Sequence, residues 1–165
     1  MNLTLPTVES LLNSLAQQMR TELPAEPLMI GIHTGGAWIA EALHRQLQFK
    51  SKLGTIDISF YRDDFSTAGL HPKVNTSFLP EDVDNRDIIL VDDILQTGRT
   101  IRAALNEIFS FGRPKSIVLV VLIDRGLREL PIQADYCGAV IDLAPDEHIK
   151  LSGPENMSIQ ILRRD

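Results

Sequence analysis

Cysteine occurs once in the 165 residues, as Cys137, so no disulfide forms within the chain and the composition suits a reducing compartment. Aromatic residues make up only 5%, too few for the stacking platforms that hold single-stranded nucleic acid. Basic residues are in deficit as well. Lys and Arg total 16 against 22 Asp and Glu, a net charge of -6, which excludes nucleic-acid binding by overall charge and leaves only a local basic face. No apolar run approaches the roughly 18 residues of a membrane span, and Met1-Asn2-Leu3-Thr4 lacks the charged-then-apolar order of a secretion signal. Repeats and low-complexity tracts are missing too. What is present is 44% apolar and 23% charged residues, enough for a core and unlike a disordered chain. The length fits one domain over residues 1–165. A cytoplasmic protein without membrane contact is expected.

Apolar positions set the organisation. Val8, Leu11, Leu12, Leu15 and Met19 recur at helical spacing after Pro6 and Thr7, and Pro24 and Pro27 end that helix. Leu28 to Ile32 reads as a buried strand, followed by His33-Thr34-Gly35-Gly36 and a helix with Ile39, Ala42, Leu43 and Leu47 on one face. Thr55 to Tyr61 alternates as a strand does. Residues 62–80 carry Gly69, Pro72, Asn75 and Pro80 without periodicity, a loop long enough to suggest a functional flap. A strand at Ile88 to Val91, a turn at Asp92 to Gly98 and a helix through Ile101, Ala104, Leu105 and Ile108 follow, with Gly112 and Pro114 as its stop. Ser116 to Ile123 is nearly all apolar, as a strand covered on both faces requires. The tail shows short strand-like pieces at Tyr136 to Ile141, His148 to Leu151 and Ser158 to Leu162. Alternating strands and helices imply an α/β fold with a mainly parallel sheet, and ligands at the carboxyl ends of its strands. His44 and His148 read as surface groups, and Trp38 as packing between helix and sheet.

The chemistry concentrates in Ile88-Ile89-Leu90-Val91-Asp92-Asp93-Ile94-Leu95-Gln96-Thr97-Gly98-Arg99-Thr100. A strand ends in two carboxylates and turns through Thr and Gly into a helix. Amides at that turn, with the Thr97 and Thr100 hydroxyls, make a concave donor set at a positive helix end, which suits a phosphate monoester. The carboxylates Asp92 and Asp93 would repel that phosphate but suit a diol, or Mg2+ held through them. Phosphate at one end and a diol with metal at the other describe a ribose 5-phosphate. The Gly-Lys-Ser/Thr of a P-loop and a Gly-x-Gly-x-x-Gly after a strand are missing. A receiver domain carries its acidic pair on the first strand, whereas two strands precede the pair in this chain.

Val91 to Thr100 resembles the phosphoribosyl-pyrophosphate (PRPP) motif of type I phosphoribosyltransferases. Ile56 to Asp64, Gly98 to Ala104 and Ile123 to Tyr136 narrow the resemblance to the PyrR family, pyrimidine-operon attenuators with uracil phosphoribosyltransferase activity, over about residues 28–141. The resemblance implies the type I fold with a small hood and a flexible flap over about 62–80. It implies that uracil and PRPP give UMP and pyrophosphate, with Mg2+ carried in with PRPP rather than caged by protein. Asp92 and Asp93 would hold the ribose hydroxyls, Asp93 also stabilising positive charge. Thr97, Gly98, Arg99 and Thr100 would hold the 5'-phosphate, mainly by backbone N–H. His33, Thr34, Gly35 and Gly36 match the pyrophosphate loop, which in the superfamily often carries a non-proline cis peptide. Tyr61, Arg62, Asp63 and Asp64 would begin the flap, with Arg62 among the catalytic groups. Ile123, Asp124 and Arg125 lie where the base should sit. UMP or UTP as effector, a homodimer or higher homo-oligomer, and RNA as partner are also implied.

The chain departs from the family pattern at three points. Purine enzymes place an acid where Gln96 stands, so its absence favours uracil. The pyrophosphate loop usually reads Lys-Thr-Arg-Gly, and loss of both cations should weaken PRPP binding. In the RNA-binding pattern, Gln133 and Ala139 replace cations and Leu127 replaces a His, with Arg128 retained. A transferase, a UMP- or UTP-sensing regulator with weak catalysis and an RNA attenuator are therefore three separable expectations.

Overall fold

The computed structural model describes residues 4–24, 26–59 and 77–164. Thr7 caps the first helix, α1 (Val8–Arg20), by accepting the Ser10 amide on its hydroxyl at 3.1 Å. Strand β1 (Leu28–Ile32) leads to α2 (Gly35–Leu47) and then to β2 (Gly54–Ile56). After residues 60–76 come β3 (Asp87–Leu95), α3 (Arg99–Phe111), β4 (Ser116–Asp124) and β5 (Tyr136–Val140). The chain closes with β6 (Glu147–Ser152) and β7 (Ser158–Arg163).

Five strands form one parallel sheet in the order β2-β1-β3-β4-β5. Strand alternation sorts its apolar side chains into two cores. Met29, Ile89, Val91, Val120 and Leu122 face α1 and α2, whereas Leu28, Ile30, Ile88, Leu90, Leu119 and Val121 pack with Ile101, Ala104 and Ile108 of α3. Each such side chain, fully buried, contributes roughly 1.5–3 kcal/mol of apolar burial. Covering both faces explains why β1, β3 and β4 read as nearly unbroken apolar runs. No helix among the described residues is long and apolar enough to cross a membrane.

Strand order places the site. β2 lies on one side of β1 and β3 on the other, so the connections leaving β1 and β3 diverge and open a crevice at their carboxyl ends. The antiparallel β6–β7 hairpin, whose turn includes a cis Gly153–Pro154 bond, supplies the small hood. Trp38 packs against it, its ring 2.9 Å from where a Cβ on Gly153 would stand.

Two strand boundaries differ from the sequence expectation. β2 ends at Ile56, because Asp57 bends back to accept the Ser59 amide at 2.8 Å. The edge of β2 pairs instead with the returning chain, where Thr55 and Phe78 exchange amide-to-carbonyl bonds of 2.8 and 2.7 Å. β3 runs through the acidic pair to Leu95 instead of stopping at Val91, since Asp92, Ile94 and Leu95 all pair with β4.

Candidate active site

Asp92 and Asp93 lie where the buried run of β3 opens toward the crevice: Asp92 is 3% exposed, and Asp93 is half-buried. Each carboxylate accepts the next amide, Asp93 N to Asp92 Oδ1 at 2.9 Å and Ile94 N to Asp93 Oδ1 at 2.9 Å. Across the crevice stands the loop His33 to Gly36. The His33–Thr34 peptide is cis, the configuration that the family resemblance implies for this loop. Gly35 and Gly36 are there because nothing larger fits. A Cβ on Gly35 would overlap the Asp93 carboxylate, and one on Gly36 would lie 2.6 Å from the Val91 carbonyl and 2.9 Å from the Asp92 Cα.

The turn from β3 into α3 has the polarity an anion needs. Gly98 adopts φ 93°, the left-handed conformation that favours glycine, immediately before α3 begins at Arg99. The Arg99 amide donates to Thr97 Oγ1 at 3.2 Å and the Arg102 amide to the Gly98 carbonyl at 2.9 Å. Thr100 and Ile101, in the first turn, have amides without carbonyl partners inside the helix. The Arg99 side chain swings outward and donates to Glu129 at 2.8 Å, so this residue faces the turn with its backbone.

A cavity of about 290 Å³ joins the end of β3 to the turn, lined by Asp92, Gln96, Thr97, Gly98, Thr100 and Arg125, with His148 and Arg164 from the hood side; Asp93 and the His33–Gly36 loop do not line it. Of the three residues expected at the base, only Arg125 lines it. Ile123 is fully buried in the core under α1 and α2. Asp124 is turned inward and committed: it accepts the Gly126 amide at 2.9 Å and the Arg128 guanidinium. Burial alone would raise its pKa, but the Arg128 and Gly126 hydrogen bonds and the Arg128 charge bring it below its ordinary value. Arg125, 7% exposed, donates to the Glu147 carbonyl at 3.0 Å and meets the Gln96 side chain at 3.5 Å.

His148, expected as a surface group, instead lines the cavity and is half-buried. Its Nδ1 is buried without a hydrogen-bond partner among the described residues, as is Nε of Arg125. A polar residue alternating along a hairpin strand looks like a surface group until the hairpin is known to roof a cavity. His44 is likewise half-buried, its Nε2 2.6 Å from the Ser51 carbonyl. The expected flap residues Tyr61, Arg62, Asp63 and Asp64 lie outside the described residues.

Among the described residues no group of three or more His, Cys, Asp or Glu side chains could cage a metal ion. Two adjacent carboxylates do suit Mg2+ that arrives on substrate phosphates, because that ion keeps most of its ligands from water and phosphate.

Comparison with known proteins agrees with the geometry. The phosphoribosyl transferase domain family matches residues 3–148. The Bifunctional protein PyrR of Pseudomonas aeruginosa (strain LESB58) is 49% identical over 162 residues, 96% of this chain and 95% of that protein. That of Nitrosococcus oceani is 53% identical over 154 residues, covering 92% and 87%. Among solved structures, a hypoxanthine-guanine phosphoribosyltransferase from Bacillus anthracis superposes with a TM-score of 0.67 at 27% identity, covering 88% of this chain and 85% of that one. The chain belongs to the phosphoribosyltransferase family and, within it, to the PyrR proteins.

Proposed function

We propose that this phosphoribosyltransferase makes UMP and pyrophosphate from uracil and PRPP. The carrying observation is one cavity that joins the Asp92 strand end, the Thr97–Thr100 turn and Arg125. In this reading the turn amides and the Thr97 and Thr100 hydroxyls hold the 5'-phosphate. Asp92 and Asp93 hold the ribose diol, and Asp93 faces the sugar as C1' becomes positive. The C1'–O bond to pyrophosphate breaks early, N1 of uracil bonds to C1', and the N1 proton passes to water or to the departing group. The protein's contribution is positioning and fixed charge. Gly35 and Gly36 let the His33–Gly36 loop approach the leaving group. Arg62 and the rest of the flap would close over the cavity and exclude water. Mg2+, bound through PRPP with Asp92 and Asp93 in reach, would neutralise charge on the departing pyrophosphate.

Gln96 supports a pyrimidine over a purine, since its amide offers no carboxylate for a purine nitrogen. Arg125 is the residue available for the base, with Ile123 limited to its backbone and Asp124 to orienting Arg128. The lone half-buried thiol of Cys137 fits a reducing, cytoplasmic setting. A homodimer or higher homo-oligomer follows from the family resemblance, and the length of residues 1–165 fits a single domain.

A second reading, a UMP- or UTP-responsive regulator with slow chemistry, is favoured by the uncharged Gly35–Gly36 loop. Retained Arg128 weighs against RNA contact through its face, because its guanidinium is spent on intramolecular bonds. A panel of uracil, orotate, cytosine, guanine and hypoxanthine with PRPP and Mg2+ separates these readings. Uracil-dependent release of pyrophosphate in step with UMP supports the enzyme. UMP binding without turnover on any base supports the regulator.

A further inference from the structure

A turn that binds an anion must keep its carbonyls away from the ligand, because an inward carbonyl dipole would repel phosphate. In this chain two carbonyls of the turn, those of Gln96 and Thr97, are both taken by the segment that follows β4. Arg128 Nη1 donates to the Gln96 carbonyl at 2.7 Å, and the Glu129 and Leu130 amides donate to the Thr97 carbonyl at 2.9 and 3.1 Å. The same guanidinium donates through Nε to the Ile132 carbonyl at 2.7 Å and through Nη2 to the Asp124 carboxylate. One planar fork therefore ties the turn, the end of β4 and the returning loop together. Apolar contact backs it: a Cβ on Gly98 would stand 3.3 Å from Ile132 Cβ.

We propose that Arg128 is a positioning residue for the phosphate-binding turn. It holds the Gln96 carbonyl outward so that the amides of residues 97–100 stay aimed at a ribose phosphate. The inference rests on the phosphoribosyltransferase reading but concerns a residue that does not line the cavity. The fork geometry matters, since a lysine ammonium is a compact charge that cannot span three acceptors lying in different directions.

The test compares wild type, Arg128→Lys, Arg128→Met and, as a distant control, Arg86→Gln, whose arginine bonds the Glu26 carbonyl at 3.5 Å. KM for PRPP and kcat are measured, together with backbone amide resonances of the ligand-free proteins. Both Arg128 variants should raise KM for PRPP about tenfold, with kcat within about threefold, since a displaced turn loses several amide contacts at once. Their Thr97, Gly98 and Thr100 amide resonances should be displaced before any ligand is added, and Arg86→Gln should change neither. Arg128→Lys retains the charge, so it is the fallback if Arg128→Met does not fold. Unchanged KM in a folded Arg128 variant overturns the proposal. So does a raised KM with unmoved amides, which would mean that Arg128 meets substrate directly. If wild type turns over no base at all, the uracil reading fails, and the amide resonances alone then decide the positioning role.

Discussion

Gly35 faces the carboxylate of Asp93 so closely that a Cβ on Gly35 would lie 2.7 Å from Asp93 Cγ and overlap its outer oxygen. The carboxylate fills the direction in which a side chain at position 35 would leave the loop. In this arrangement position 35 has room only for glycine. The close approach also couples the two sides of the crevice, since Asp93 cannot move independently of the loop carrying Gly35.

Gly35→Ala should therefore act through Asp93. The methyl must push the carboxylate aside, at a cost of about 1–3 kcal/mol for overpacking. Turnover should fall by about tenfold or more, because a displacement near 1 Å at a reacting group is costly. Urea unfolding and initial rates on the same preparation measure both effects.

Asp93→Asn keeps shape and removes charge. If Asp93 stabilises positive charge at C1', kcat should drop about 10²–10³-fold, the range found when one electrostatic partner of a transition state is removed. The melting temperature should stay within a few degrees, since the residue is half-buried and asparagine keeps the volume that faces Gly35. An unchanged kcat would remove Asp93 from the mechanism.

Gly98→Ala tests the turn itself. At φ 93°, an alanine is strained by roughly 1–2 kcal/mol, and its methyl meets Leu130 and Ile132. Calorimetric titration should show weaker UMP binding, with the fold intact by circular dichroism.

Asp124 carries a pH signature. Its folded pKa lies below the unfolded value because hydrogen bonds from Arg128 and Gly126 outweigh burial. A depressed carboxylate contributes stability that is full above the unfolded pKa of about 3.9 and is lost as pH falls through the folded pKa. The stability gap between wild type and Asp124→Asn should hold steady from about pH 8 to 5 and close below about pH 4. Denaturant unfolding across that range checks it, and a constant gap at low pH contradicts it.

Much of the architecture was legible in the chain. Apolar spacing gave α1, α2 and α3, and the unbroken apolar runs of β1, β3 and β4 declared a sheet covered on both sides. The strand-to-helix turn was legible because Thr97-Gly98-Arg99-Thr100 combines a left-handed glycine with a helix start. The continuation of β3 through Asp92 was not, because two acids beside a Thr-Gly turn carry little strand propensity and only pairing with β4 extends the strand. Burial of His148 depends on where a hairpin folds back, which local pattern does not encode. The inward turn of Arg128 is hidden for the same reason: its acceptors at Gln96 and Asp124 meet it only through tertiary structure.

The crystal structure of the protein with UMP tests the central claim most directly. The nucleotide's phosphate should lie on the amides of Thr97, Gly98 and Thr100, its ribose hydroxyls on Asp92 and Asp93, and its base beside Arg125. A nucleotide bound elsewhere, with that turn unengaged, would contradict the account.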